Sequence, residues 1–298
     1  MASSFWESSQ CRRWLFSEND LKERRDRYHC TFMEAESAQV LNDEMMRFMN
    51  LVGKSLGWRQ TVIATSKLLY KRFFVVTCMD ERYDPRLIAV TCLYLAAKVE
   101  ELGQYNLRDL LKKVQEVQSR EGFQIPKYSH QHVHDFEFHI LDALSFDLVV
   151  FHPYQYLSKY VRDAQIEDQI CVDAAWSILN DSYLSDVILL YPPYLIAIAA
   201  FYMACVQTNV DSKKWFSQLN VRLDVVREIA QLIIDMYKGR AAVAERQRRI
   251  RPEVMEDVNR KFESNFAMQQ EEHKKRANEL KRKKQQEKPG NAKKKVRR

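Results

Sequence analysis

Two segments of this chain repeat one another: Pro85-Arg-Leu-Ile-Ala-Val-Thr-Cys-Leu-Tyr-Leu-Ala-Ala-Lys98 and Pro193-Tyr-Leu-Ile-Ala-Ile-Ala-Ala-Phe-Tyr-Met-Ala-Cys-Val206. Pro, Leu, Ile, Ala, Tyr and Ala recur in the same register, and Val90/Ile198, Leu93/Phe201 and Leu95/Met203 stay apolar. Self-similarity at a fixed offset marks a duplicated supersecondary unit, so the chain is read as two copies of one domain. From Leu87 to Ala97 no residue is charged. A short helix that is apolar all round needs other helices on every side, which makes this segment the centre of a bundle. The copies part at one informative place, where Lys98 stands opposite Val206.

The 298 residues suit two domains, and six Gly and seven Pro are too few for a turn-rich all-β chain. The spacing predicts five helices in the first copy, over 36–54, 58–77, 85–100, 106–118 and 128–143. Gly53 and Gly57 are expected to close the first, and Asp84-Pro85 to cap the third. The second copy is expected to carry helices over 152–164, 168–184, 195–206, 213–219 and 223–239. A helical N-terminal extension precedes them over 6–28, with too little apolar face to stand alone, so it must pack on something. The organisation expected is thus 1–33 as an N-terminal extension, 34–148 and 149–239 as the two repeats, and 240–298 as a basic, largely disordered or frayed helical tail.

Charge divides along the same line. From Arg240 onward there are 20 Lys/Arg against 9 Asp/Glu, which leaves 27 against 31 in residues 1–239. A slightly acidic body is a poor phosphate-tracking surface, so no sequence-specific nucleic-acid contact is expected of it. Two basic clusters in the tail, Lys281-Arg282-Lys283-Lys284 and Lys293-Lys294-Lys295 with Arg297 and Arg298, have the composition of a nuclear-import address. The six cysteines are widely spaced, the pattern of free thiols in a reducing compartment. Charges interrupt every window of membrane-spanning length, and an intracellular location is expected.

Catalytic patterns are missing. There is no Gly-rich phosphate loop, no nucleophile elbow and no kinase signature set, so neither an enzyme nor a cofactor is expected. His130, His132, His134, Asp135 and His139 cluster on one predicted helix, but no second ligand pair appears elsewhere, and no metal is expected there. Lys98 is the stronger signal, because its duplicate accepts Val. Glu100 and Glu101 follow at a helix C-terminus, where carboxylates oppose the helix dipole, so they call for partners outside the helix. Glu137, among Phe136, Phe138, Ile140 and Leu141, is placed either to pair with Lys98 or to face a partner.

These residues resemble a cyclin. The central helix ends Leu95-Ala-Ala-Lys98-Val-Glu-Glu101, and Glu137 is followed by Leu141, Leu144 and Phe146-Asp-Leu148. Ser4-Phe-Trp-Glu-Ser-Ser-Gln10, Lys71-Arg72-Phe73, Phe151-His-Pro-Tyr154, Asn180-Asp-Ser-Tyr-Leu-Ser-Asp186 and Leu190-Tyr-Pro-Pro-Tyr194 are similar to the cyclin C family over residues 1 to about 239. The resemblance implies an all-α fold of two tandem five-helix cyclin boxes with an N-terminal helix and a basic C-terminal extension. It also implies a regulatory subunit of the cyclin-dependent kinase of the Mediator kinase module, acting in the nucleus on RNA polymerase II transcription beside the other module subunits. Carried over, Lys98 and Glu137 match the kinase-contact pair, while Glu101 and Glu100 would face the kinase activation segment. Trp6, Trp176, Asn180, Asp181 and Tyr237 would line a groove between the repeats. Cell-cycle cyclins dock substrates on a Met-Arg-Ala-Ile-Leu patch with a Trp; those positions here hold Leu41, Asn42, Asp43, Glu44 and Met45, with Phe48 at the Trp, a departure that disfavours such docking. The alternative is a cyclin-fold nucleic-acid-binding or scaffold protein of the transcription machinery with no kinase partner. The acidic body and the absence of ribbon cysteines weigh against nucleic acid, and the Lys98/Glu137 pattern weighs against a pure scaffold.

Overall fold

The computed structural model describes residues 4–27, 33–80, 82–103 and 105–286, with side chains as far as Phe262 except at 242, 243 and 246–248. A 3-10 turn, Phe5–Glu7, leads into α1 (Ser9–Arg13) and α2 (Glu18–Arg27). The first repeat is α3 (Ala35–Ser55), α4 (Gln60–Val76), α5 (Pro85–Val99), α6 (Leu107–Glu121) and α7 (His130–Ala143). The second is α8 (Tyr154–Asp163), α9 (Gln169–Ser182), a short α10 (Val187–Leu190), α11 (Pro193–Thr208), α12 (Lys213–Gln218) and the long α13 (Leu223–Gln286). Among the described residues there is no strand, and no helix is long and apolar enough to cross a membrane.

The duplicated helices are the centres of two cores. In α5 every residue from Pro85 to Ala97 is buried except Tyr94, and α3, α4, α6 and α7 pack around it. In α11 Leu195 to Phe201 are buried, and α8, α9, α10 and α13 surround it. Asp84 caps α5 by accepting from the Arg86 backbone N–H at 2.9 Å, with Pro85 in the first turn. Gly57 ends the turn after α3 at φ +67°, where a side chain would strain the backbone. Gly53, expected to close that helix, lies inside it instead. A Cβ there would stand 2.5 Å from Ile63, so the glycine lets α3 and α4 approach.

The N-terminal extension does pack on the body. Trp14 donates through Nε1 to Asp147 at 2.9 Å and is 5% exposed, and the Phe16 N–H bonds the Leu189 carbonyl at 2.9 Å. Arg25 grips Asp186 with two hydrogen bonds of 2.7 Å each. Ser17 and Asp20 break the extension, as the sequence indicated, each side chain capping the other's backbone.

The C-terminal expectation needs correction. Residues 240–286 continue α13 as helix, rather than forming a frayed or disordered tail from Arg240. The physical reason is a short apolar stripe, Val254, Met255, Val258 and Phe262, each at most 6% exposed in the core of the first repeat. Polar contacts fix its register: Arg251 meets buried Glu44 at 2.5 Å, Asn259 donates to Gln124 at 2.5 Å, and Arg86 bonds Asn259. A helix with one apolar patch is marginal alone and becomes ordered against a complementary surface. Lys281 to Lys284 fall on the last turns of this helix, and Lys293 to Arg298 lie outside the described residues.

Candidate functional site

The end of α5 carries the residues singled out by the mismatch between the copies. Lys98 Nζ donates to Glu137 Oε1 on α7 at 2.5 Å and sits 4.9 Å from the centre of the Tyr94 ring. The α5/α7 packing sets this geometry, since the two helices run side by side within one core. Burial works against the Lys98 charge, but the hydrogen bond and charge of Glu137 outweigh it, so the amine is raised. His134 stands 3.5 Å from the other Glu137 oxygen. Lys98 stays 43% exposed at its side chain, leaving the pair open to a partner. Phe138, next to Glu137, is 64% exposed and Phe146 is 60% exposed, so apolar surface accompanies the charges.

The two carboxylates that follow behave differently. Glu100 turns inward: Thr65 donates to it at 2.6 Å, and His152 lies 3.5 Å away. His152 in turn contacts Thr65 at 2.7 Å and Tyr183 at 2.5 Å, a relay that ties the end of α5 to the second repeat. Burial works to raise the Glu100 carboxyl, and the His152 and Thr65 hydrogen bonds overcome this and lower it. Glu101 points outward, exposed, at φ +48°. A glutamate in the left-handed region costs about 1 kcal/mol or more, and such strain concentrates at functional positions.

Of the groove residues, Asn180, Asp181 and Tyr237 come together: the Tyr237 hydroxyl donates to Asp181 Oδ2 at 2.8 Å, joining α13 to α9. Trp176 instead stacks on Tyr154, with centroids 5.7 Å apart and planes 14° apart. Trp6 is 60% exposed and rests on Tyr194 at 5.8 Å, so its ring contacts do not join the other four. The sequence reading passed over Lys67 on α4, which is 4% exposed in this groove wall. Its signal was a cation in the middle of the apolar run Val62 to Leu69.

The surface equivalent to the cell-cycle docking patch is filled from within. Leu41, Met45 and Phe48 are fully buried, and Glu44 is covered by Arg251 of α13. Burial raises the Glu44 carboxyl despite the nearby charges of Arg251 and Arg47. The histidines expected not to hold a metal have other contacts. His132 accepts from the Ser129 backbone N–H at 3.1 Å in a capping box, and His139 packs on Tyr83 and Phe136. Among the described residues no group of three metal-ligating side chains converges.

Two family models match: the cyclin N-terminal domain over residues 14–149 and the cyclin C-terminal domain over residues 152–260. Cyclin-C of Rattus norvegicus is 34% identical over 242 residues, covering 80% of this chain and 84% of its own length. Among solved structures, a chain of the yeast TFIIK (Kin28/Ccl1/Tfb3) complex superposes with a TM-score of 0.64 at 24% identity, covering 77% of this chain and all of that one. A chain of the yeast RNA Pol II CTD kinase CTDK-1 complex gives 0.63 at 20% identity, over 76% and 73% of the two chains.

Proposed function

The chain belongs to the cyclin family, and from that premise we propose that it is the activating subunit of a cyclin-dependent kinase. The observation that carries the proposal is the Lys98–Glu137 pair, displayed at the surface of the first repeat while its counterpart in the second repeat is Val206, 60% exposed. A kinase of this class switches on when its mobile C-helix is held inward, so that its own Lys–Glu pair can position ATP. In this reading the first repeat, residues 34–148, receives that helix: Lys98 and Glu137 bond its ends, Phe138 packs on it, and Glu101 faces arginines of the activation segment. Glu100 acts from behind, holding the α5 terminus through Thr65 and His152. Phosphoryl transfer is the partner's chemistry, and this chain supplies position.

The finer assignment rests on the likeness to Cyclin-C. We place the protein in the Mediator kinase module, in the nucleus, with the other module subunits as neighbours and RNA polymerase II transcription as the regulated process. The basic clusters at 281–284 and 293–298 would serve import, and the groove around Asn180, Asp181 and Tyr237 would be a second partner surface. Co-purification with the kinase followed by a kinase assay tests the central reading. Lys98→Glu combined with Glu137→Ala is expected to abolish both binding and activation; intact activity in that variant would refute the interface. Recovery of large Mediator subunits from nuclear extract by the full chain tests the finer one.

A further inference from the structure

The groove between the repeats contains a cation with no partner. Lys67 lies on the α4 face that meets the second repeat, one turn after Ala64 and beside Leu68, both in the second core. One turn on, Lys71 is fully supplied: its ammonium donates to the carbonyls of Leu184 at 3.3 Å and Ser185 at 2.7 Å and reaches Asp186 at 3.4 Å. Lys67 is as deeply placed, at 4% exposed, and among the described residues nothing hydrogen-bonds or ion-pairs with it. Burial pushes its amine down to about 8; Asp181 acts against this, whereas Lys54, Lys71 and Arg240 add to it. Asp181 is itself occupied by the Tyr237 hydroxyl.

Two further groups beside it are unsatisfied. Arg240, one turn past Tyr237 on α13, reaches Asp43 at 3.5 Å through one nitrogen and keeps Nη1 buried without a partner. The side-chain oxygen of Asn180, adjacent to Asp181 on α9, is buried and accepts nothing. A buried ammonium, a buried guanidinium N–H and a buried amide oxygen left open together are costly unless something completes them.

We propose that this recess binds the carboxylate of an Asp or Glu side chain in a segment of a partner protein, taken by Lys67 and Arg240, with a peptide N–H of the same segment donating to Asn180. The stoichiometry selects this occupant: the site offers donors for one anion and an acceptor for one N–H, which an acidic residue of a peptide supplies together. A phosphate dianion is disfavoured, because Asp181 and Asp43 stand beside the cations. The proposal deepens the groove assignment above and is separate from the kinase face at Lys98.

The test reads Lys67 itself, so that the basic tail cannot contribute. In the full chain with lysine side chains labelled at Cε, the Lys67 resonance is identified by its loss in Lys67→Met and titrated with pH. N-acetyl-aspartate N-methylamide at millimolar concentration is expected to raise the Lys67 pKa by about one unit, a tenfold preference for the charged form. The asparagine analogue is expected to leave it in place, and Arg240→Gln to weaken the response several-fold. Lys67→Met is expected to melt at a higher temperature than the natural chain, since an uncompensated buried charge has gone, and to co-purify with the kinase as before. Equal responses to the aspartate and asparagine probes, a response to inorganic phosphate but not to the aspartate probe, no response to any of the three, or a lower melting temperature for Lys67→Met would each overturn the proposal.

Discussion

The ends of α5 and α11 stand at equivalent places in two copies of one fold and differ in almost everything that meets solvent. Both helices begin at a proline, run apolar through the centre of a core, and end with a residue in the left-handed conformation. At α11 that residue is Asn209, φ +56°, a type that tolerates the region well, and nearby Val206 is simply exposed. At α5 it is Glu101, preceded by an ion-paired Lys98 and an internally bonded Glu100. Duplication therefore kept what packs and released what faces outward. The copy that gathered charge and strain at its helix end is the one assigned to the kinase.

The comparison can be challenged at four levels. Leu93→Ala and Phe201→Ala, at matched positions fully buried in the two cores, should each cost about 2–5 kcal/mol in denaturant titration, because each leaves a cavity. A markedly smaller loss in one copy would show that the central helices are not equivalent. Next, Asp186→Asn should cost about 1.5–3 kcal/mol by removing the carboxylate that Arg25 and Lys71 share. Burial works to raise that carboxyl, but Lys71 and Arg25 outweigh it and hold it well below the usual range. Its contribution is then complete above the unfolded value of about 4 and is lost as pH falls below it. The melting difference between wild type and Asp186→Asn should therefore shrink in acid; a difference constant with pH would remove the ion pair from the account.

At the third level the helix ends are exchanged. Lys98→Glu alone should lower kinase activation at least tenfold, about 1.4 kcal/mol, whereas Val206→Glu should leave it unchanged. Comparable effects in the kinase assay would dissolve the functional distinction between the copies. Smallest, Glu101→Gly should raise stability by about 1 kcal/mol by relieving a left-handed glutamate, yet weaken kinase binding. Asn209→Gly should change stability by only a few tenths of a kcal/mol and binding not at all. If Glu101→Gly bound the kinase as well as wild type, the strain at Glu101 would have no interface role.

Much of this was legible before any coordinates, because it is local. Apolar periodicity placed the helices of both repeats to within a few residues, and the uncharged run from Leu87 to Ala97 identified the bundle centre. The pairing of Lys98 with Glu137 could be anticipated because the two recur as isolated charges in apolar surroundings. Trp6 was less legible, since ring contacts depend on where a loosely determined N-terminal turn lands, and it lands on Tyr194. Gly53 illustrates another limit: a glycine reads as a helix end unless the neighbouring helix that needs the space is known.

The amino-acid sequence alone determined the helical class, the duplication and the charged mismatch at Lys98, since each is written in spacing along one stretch of chain. Tertiary structure decided the rest. The stripe Val254, Met255, Val258 and Phe262 is too short to specify a helix by itself, and only the surface of the first repeat orders it. Lys67 is an ordinary lysine in the sequence, and it becomes a candidate site because two distant repeats close over it without supplying an acceptor. Burial is a property of the assembled chain, and the cost of an unpaired charge exists only once water has been excluded.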